Sequence, residues 1–149
     1  MDIKYEIGHI AFVVKDLDAA MAFMKSLGAE LSEKKDFNNR KIPQRNVMLD
    51  GNDGDWPVTY CTGTLGNLRI QIFMPEGNGK TPYSEFLKKT GGGIHHISFD
   101  HCGTDIVAIK DDLVSKGAKV LSYGINEDGP KAFYLNIEPL SGTICELTK

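Results

Sequence analysis

The sequence predicts an α+β fold in which one strand–helix–strands unit occurs twice along a single domain spanning residues 1–149. Three observations predict it: an apolar run opens each half, a helical stripe ending at glycine follows each run, and strand-like segments follow each stripe. The opening runs superimpose, Gly8-His9-Ile10-Ala11-Phe12 on His95-His96-Ile97-Ser98-Phe99, so that His9 matches His96. Two copies make an intramolecular duplication, with a first module over 5–75, a linker with a short helix over 76–93 and a second module over 94–148.

Each element has a local reason. Residues 7–14 are β-branched and apolar and read as a mostly buried strand. Asp16 is a natural N-cap, Leu17, Ala20, Met21, Met24 and Leu27 recur at helical spacing, and Gly28 is a stop. Residues 32–57 are polar and rich in turn formers, and read as a strand fragment and a long loop. Val58–Leu65 and Leu68–Met74 are strands joined by a tight Gly66-Asn67 turn. Pro82 opens a short helix that stops at Gly91-Gly92-Gly93. In the second half Ile94–Phe99 is a strand, and Ile106, Ile109 and Leu113 form a helical stripe ending at Gly117. Val120–Tyr123, Ala132–Asn136 and Thr143–Leu147 are the remaining strands.

Composition narrows the function. The 149 residues are 41% hydrophobic and 25% charged, as in an average globular protein. Seventeen basic residues against 20 acidic ones give a net charge of −3, so no basic surplus exists to neutralise nucleic-acid phosphates. No apolar run approaches the ~20 residues of a membrane span. The N-terminus lacks a signal-peptide layout, and three cysteines (Cys61, Cys102, Cys145) without framework spacing fit a reducing cytoplasm.

Four polar side chains interrupt apolar strands. Alternation puts His9 on one face with Ala11 and Val13, away from Ile10, Phe12 and Val14. The greasier face meets the helices, so His9 turns to the concave side. His96 and Ser98 follow the same rule; His95, Ile97 and Phe99 turn towards the helices. Gln71 lies between Ile70 and Ile72, and Glu146 between Cys145 and Leu147. Cys145 therefore points away from Glu146, and a thiolate ligand is not expected. Singly, each of the four is an ordinary core or solvated residue. Their matched positions favour another reading: two imidazoles, an amide oxygen and a carboxylate on one concave surface satisfy one another through a divalent metal. Four such ligands on an octahedral ion leave two adjacent positions for water or substrate.

With these residues the chain resembles the vicinal oxygen chelate superfamily over nearly its whole length. That superfamily includes glyoxalase I, extradiol dioxygenases, bleomycin-resistance proteins and methylmalonyl-CoA epimerases, and the chain is most similar to the epimerases. The segments that carry the likeness are His9–Leu17, Phe86–Ile97 with its Gly91-Gly92-Gly93-Ile94-His95-His96 run, and Gly142–Leu147. The resemblance implies two βαβββ modules forming an open, cupped mixed sheet. It implies the metal set His9, Gln71, His96 and Glu146, with cobalt, nickel, manganese or zinc all acceptable. Gln71, where bacterial glyoxalases usually carry glutamate, leans towards the epimerases. Their second catalytic glutamate falls on Asp55, one methylene shorter; a turn-forming aspartate after Gly54 is the plain alternative. The loop 36–55, with Trp56 beside it, departs from the family and is expected to shape the pocket.

The activity so implied is proton transfer α to a carbonyl through a metal-stabilised enolate, with Glu146 and Asp55 as the two acid–base groups. The substrate is expected to be an acyl-CoA or a thiol adduct. A glyoxalase I-like lactoylglutathione lyase is the first alternative, and a non-catalytic small-molecule binder the second. An extradiol dioxygenase fits less well, because Gln71 would fill a position that such an iron site keeps open. A homodimer is implied by the resemblance alone.

Overall fold

Burial sorts this chain's strands by parity, and the sorting places the site. The computed structural model describes residues 3–36, 45–48, 52–53, 57–77, 81–100, 105–126 and 129–148. Two compact units divide the chain. One comprises His9–Lys41 and Asp55–His95; the other comprises Met1–Gly8, Ile42–Gly54 and His96–Lys149.

The first of these units contains most of strand β1 (Glu6–Val13), helix α1 (Leu17–Ser26), β2 (Glu30–Leu31), β3 (Lys35–Asp36), β6 (Val58–Leu65), β7 (Leu68–Pro75) and helix α2 (Pro82–Thr90). β1 runs parallel to β7, with Ala11 opposite Gln71. β7 pairs antiparallel with β6, and β6 with β2 and β3. Asp16 caps α1 by accepting the Ala19 amide at 2.9 Å. α1 buries Leu17 and Met21 against Cys61 and Ile72, with Phe12, Val14 and Met74 around them. Phe12 of β1 and Ile72 and Met74 of β7 are even-numbered, so the other face of both strands carries His9 and Gln71. α2 opens with a reciprocal Thr81–Ser84 capping box and closes at Gly91, whose φ of 81° suits a residue without a Cβ. Its Tyr83 stacks on Phe73 at 4.8 Å, and Tyr83 and Phe86 each set an edge against His95 at 5.0 Å.

The other unit contains β4 (Arg45–Met48), β5 (Asn52–Asp53), most of β8 (Gly93–Asp100), helix α3 (Ile106–Ser115), β9 (Ala118–Asn126), β10 (Gly129–Ile137) and β11 (Thr143–Thr148). β8 runs parallel to β11, which pairs antiparallel with β10, and β10 with β9. One sheet face buries Phe133, Leu135, Cys145 and Leu147 against Ile106 and Ile109 of α3, with Phe99 and Leu113 beside them. Tyr5 packs here as well, and its hydroxyl donates to the Asp112 carboxylate of α3. Gly8 lies tightly against β8, since a Cβ there would meet the Asp100 carboxylate and would stand 2.6 Å from the Ser98 hydroxyl. Parallel and antiparallel pairs thus mix, as the expected α+β fold requires.

The segment 32–57 holds more structure than its composition suggests. β4 pairs antiparallel with β9, Arg45 opposite Ile125 and Val47 opposite Tyr123, and β5 pairs with β4. A four-residue strand of this kind is made by a partner far along the chain, and local periodicity carries no trace of it. Asp55, Trp56, Cys102 and most of loop 36–55 lie outside the described residues. Among the described residues no helix is long and apolar enough to cross a membrane.

Burial raises the thiol pKa of Cys145, with the Glu146 charge adding to it, to about 12; burial also pushes Cys61 up. Alkylation needs the thiolate. Iodoacetamide at pH 8 is therefore expected to label Cys61 and Cys145 in denaturant and to spare both in the native protein. Mass spectrometry reads the difference, and rapid native labelling would contradict the buried placement.

Candidate metal centre

Glu146 sits on β11 with Cys145 and Leu147 turned to the α3 core, so its carboxylate takes the opposite face. Backbone pairing sets Tyr134 of β10 on one side of it and Ser98 of β8 on the other. His96, two residues before Ser98, shares that face. The result is a short polar chain in an apolar sheet. The Tyr134 hydroxyl donates to Glu146 Oε1 at 3.0 Å, and His96 Nε2 meets Glu146 Oε2 at 2.9 Å. The His96 ring also lies edge-on to Tyr134, with centroids 5.3 Å apart. His96 is 1% exposed, Tyr134 6% and Glu146 7%. A carboxylate this deep costs several kcal/mol unless its oxygens are engaged, and here each oxygen has a neighbour of suitable chemistry.

The pair fits a cation. Two donors at right angles on one ion, each bonded at ~2.1 Å, stand about 3 Å apart, close to the 2.9 Å between His96 Nε2 and Glu146 Oε2. Imidazole with carboxylate is a common donor set for divalent first-row metals.

His9 and Gln71 belong to the other unit. His9 is buried on β1 and Gln71 half-buried on β7, both on the face turned away from α1. Asp55, the remaining candidate, lies outside the described residues. His95 is buried against α2, and Cys145 points into the α3 core.

Tyr134 was not singled out from sequence. Phe133-Tyr134-Leu135 reads as one continuous apolar run, which hides the parity that turns the middle ring to the polar face. Ser122, paired with Tyr134 across β9 and β10, belongs to the same row. Its signal was weaker still, a lone serine between Leu121 and Tyr123.

Comparison with known proteins gives concordant results. The model of the Glyoxalase/Bleomycin resistance protein/Dioxygenase superfamily matches residues 8–134. The chain is 34% identical over 146 residues to the ethylmalonyl-CoA/methylmalonyl-CoA epimerase of Cereibacter sphaeroides, covering 95% of each protein. It shares its fold with a hypothetical protein of Bacillus halodurans (TM-score 0.70, 18% identity, 97% of this chain and 94% of that one). The methylmalonyl-CoA epimerase of Mycobacterium tuberculosis is similar in fold too (TM-score 0.66, 18% identity, 95% and 85%).

Hydrogen bonds to a charged group are worth about 1.5–3 kcal/mol. Tyr134→Phe, which removes the donor on Glu146 Oε1, is expected to destabilise the protein by about that much in urea denaturation. An unchanged midpoint would mean that solvent replaces the phenol.

Proposed function

Because the chain belongs to the glyoxalase/bleomycin resistance protein/dioxygenase superfamily, we propose that it is a metal-dependent isomerase of the methylmalonyl-CoA epimerase type. On this reading it moves a proton on the carbon α to the thioester carbonyl of a branched malonyl-CoA. The observation that carries the proposal is the buried His96–Glu146–Tyr134 chain, which holds a carboxylate ready for ligation and proton transfer in an apolar sheet. The 34% identity to an epimerase supports it.

His9, Gln71, His96 and Glu146 would hold a divalent cation: cobalt, nickel, manganese or zinc each suits two imidazoles, an amide oxygen and a carboxylate. When bound, the ion supplies the positive charge that stabilises an oxyanion developing on the carbonyl. The protein's residues do the rest. Glu146 takes or returns the α-proton at one face of the carbon. Tyr134 fixes the carboxylate through Oε1, which leaves Oε2 as the working atom. Burial of His96 and Glu146 keeps bulk water from competing for the same charges. Inversion needs a second acid–base group on the opposite face, a role we assign to Asp55. On this reading the protein works as a homodimer in the cytoplasm.

The test is exchange at the α-carbon of methylmalonyl-CoA in deuterated solvent. The metal-loaded protein is expected to exchange that proton, and Glu146→Gln to lose at least about 10²-fold in rate. Chelation should abolish exchange and lower the melting temperature, and a divalent metal should restore both. Turnover of a glutathione hemithioacetal with no thioester exchange would assign the lyase reaction instead. No stoichiometric metal after loading would overturn both.

A further inference from the structure

Three constraints confine the Tyr134 phenol. Its chain neighbours Phe133 and Leu135 are buried in the α3 core, so the ring is kept on the polar face. β10 is paired on both sides, with Tyr134 opposite Glu146 of β11 and opposite Ser122 of β9. The His96 ring lies edge-on to it, with 74° between the two planes. A buried phenol held in this way cannot follow a carboxylate that swings aside. Glu146 reaches it with one oxygen only. Oε1 accepts the Tyr134 hydroxyl of β10 at 3.0 Å, whereas Oε2 lies 2.9 Å from His96 Nε2 of β8. β11 runs between those two strands, so the carboxylate has one oxygen committed to each neighbour.

We propose that Tyr134 is a positioning residue that restricts Glu146 to ligating a cation through Oε2 alone. The inference rests on the metal reading above and extends it from which residues hold the ion to how many positions they take. Carboxylates bind divalent cations through one oxygen or through both. Ligation through both would bring Oε1 beside His96 as well, and would draw it off a hydroxyl that cannot follow. Hydrogen bonds to an ionised acceptor are roughly twice as strong as neutral ones, and a buried hydroxyl left without an acceptor adds its own penalty. Ligation through one oxygen is therefore the favoured mode. Four protein donors on an octahedral ion leave about two positions open for substrate. A second oxygen from Glu146 would close one of them. Tyr134→Phe keeps the ring and its packing on His96, so the hydroxyl alone carries the effect.

The experiment loads the protein and Tyr134→Phe with manganese(II), without substrate, and counts metal-bound water by electron paramagnetic resonance in isotopically enriched water. The unaltered protein is expected to hold about two waters on the ion and Tyr134→Phe about one fewer, because the released Oε1 takes that place. A residue that only orients Glu146 behaves differently: losing such a partner lowers metal affinity about 10–100-fold and leaves the water count as it was or higher. That result would overturn the proposal. Infrared difference spectra between metal-loaded and metal-free protein read the same point independently. The separation between the asymmetric and symmetric carboxylate stretches widens on ligation through one oxygen and narrows on ligation through both. The unaltered protein is expected to show the wide separation and Tyr134→Phe the narrow one. A narrow separation in the unaltered protein overturns the proposal even if Tyr134→Phe fails to fold. Neither readout uses substrate. A protein that shows the expected water counts but exchanges no thioester proton keeps the positioning role and loses the epimerase reading. A protein that takes up no manganese, cobalt, nickel or zinc loses both.

Discussion

A carboxylate buried in an apolar sheet is the constraint from which much of this structure follows. Glu146 lies between Cys145 and Leu147, both packed against α3. If β11 slipped by one residue against β10, Glu146 would enter the cluster of Ile106, Ile109 and Leu135, and two apolar side chains would leave it. An uncompensated charge there costs several kcal/mol, a large share of a small domain's net stability. The register of β8, β10 and β11 is therefore held by polarity on one face as firmly as by packing on the other. The hydroxyl of Tyr134 and the imidazole of His96 make the arrangement tolerable by engaging one carboxylate oxygen each.

Strand parity was the most legible part of the sequence. Alternation in Gly8–Val13 and His95–Phe99 assigned His9 and His96 to the face away from the helices and His95 to the face towards them. The packing of Phe12 on α1, of His95 on α2 and of Phe99 on α3 agrees with that assignment. The caps at Asp16 and Pro82 and the stops at the glycines are local chemistry, and they too were legible. What escaped was non-local or masked by uniformity. β4 and β5 exist through pairing with β9, which no short window of sequence encodes. Tyr134 was hidden between two apolar neighbours, and Ser122 gained its placement from a bulge at Leu121 that shifts the register by one.

The two kinds of polar residue on this face make different demands on stability. Tyr134 donates to Glu146 Oε1, and His96 Nε2 lies 2.9 Å from Oε2, the atom that a cation would take. The Ser122 hydroxyl and Asn136 Oδ1, by contrast, make no hydrogen bond among the described residues. Burying such groups lowers stability by roughly 1–3 kcal/mol each.

The unit that holds Glu146 is assembled from three separated stretches of chain: its beginning, residues 42–54, and everything from His96 onward. Its sheet runs from β5 and β4 through β9 and β10 to β11. During synthesis Tyr5 and β4 must wait for partners made much later, Asp112 and Tyr123–Ile125. Pairings this remote in sequence form slowly, so the nascent chain passes through a long interval in which the edge of β4 stands unpaired.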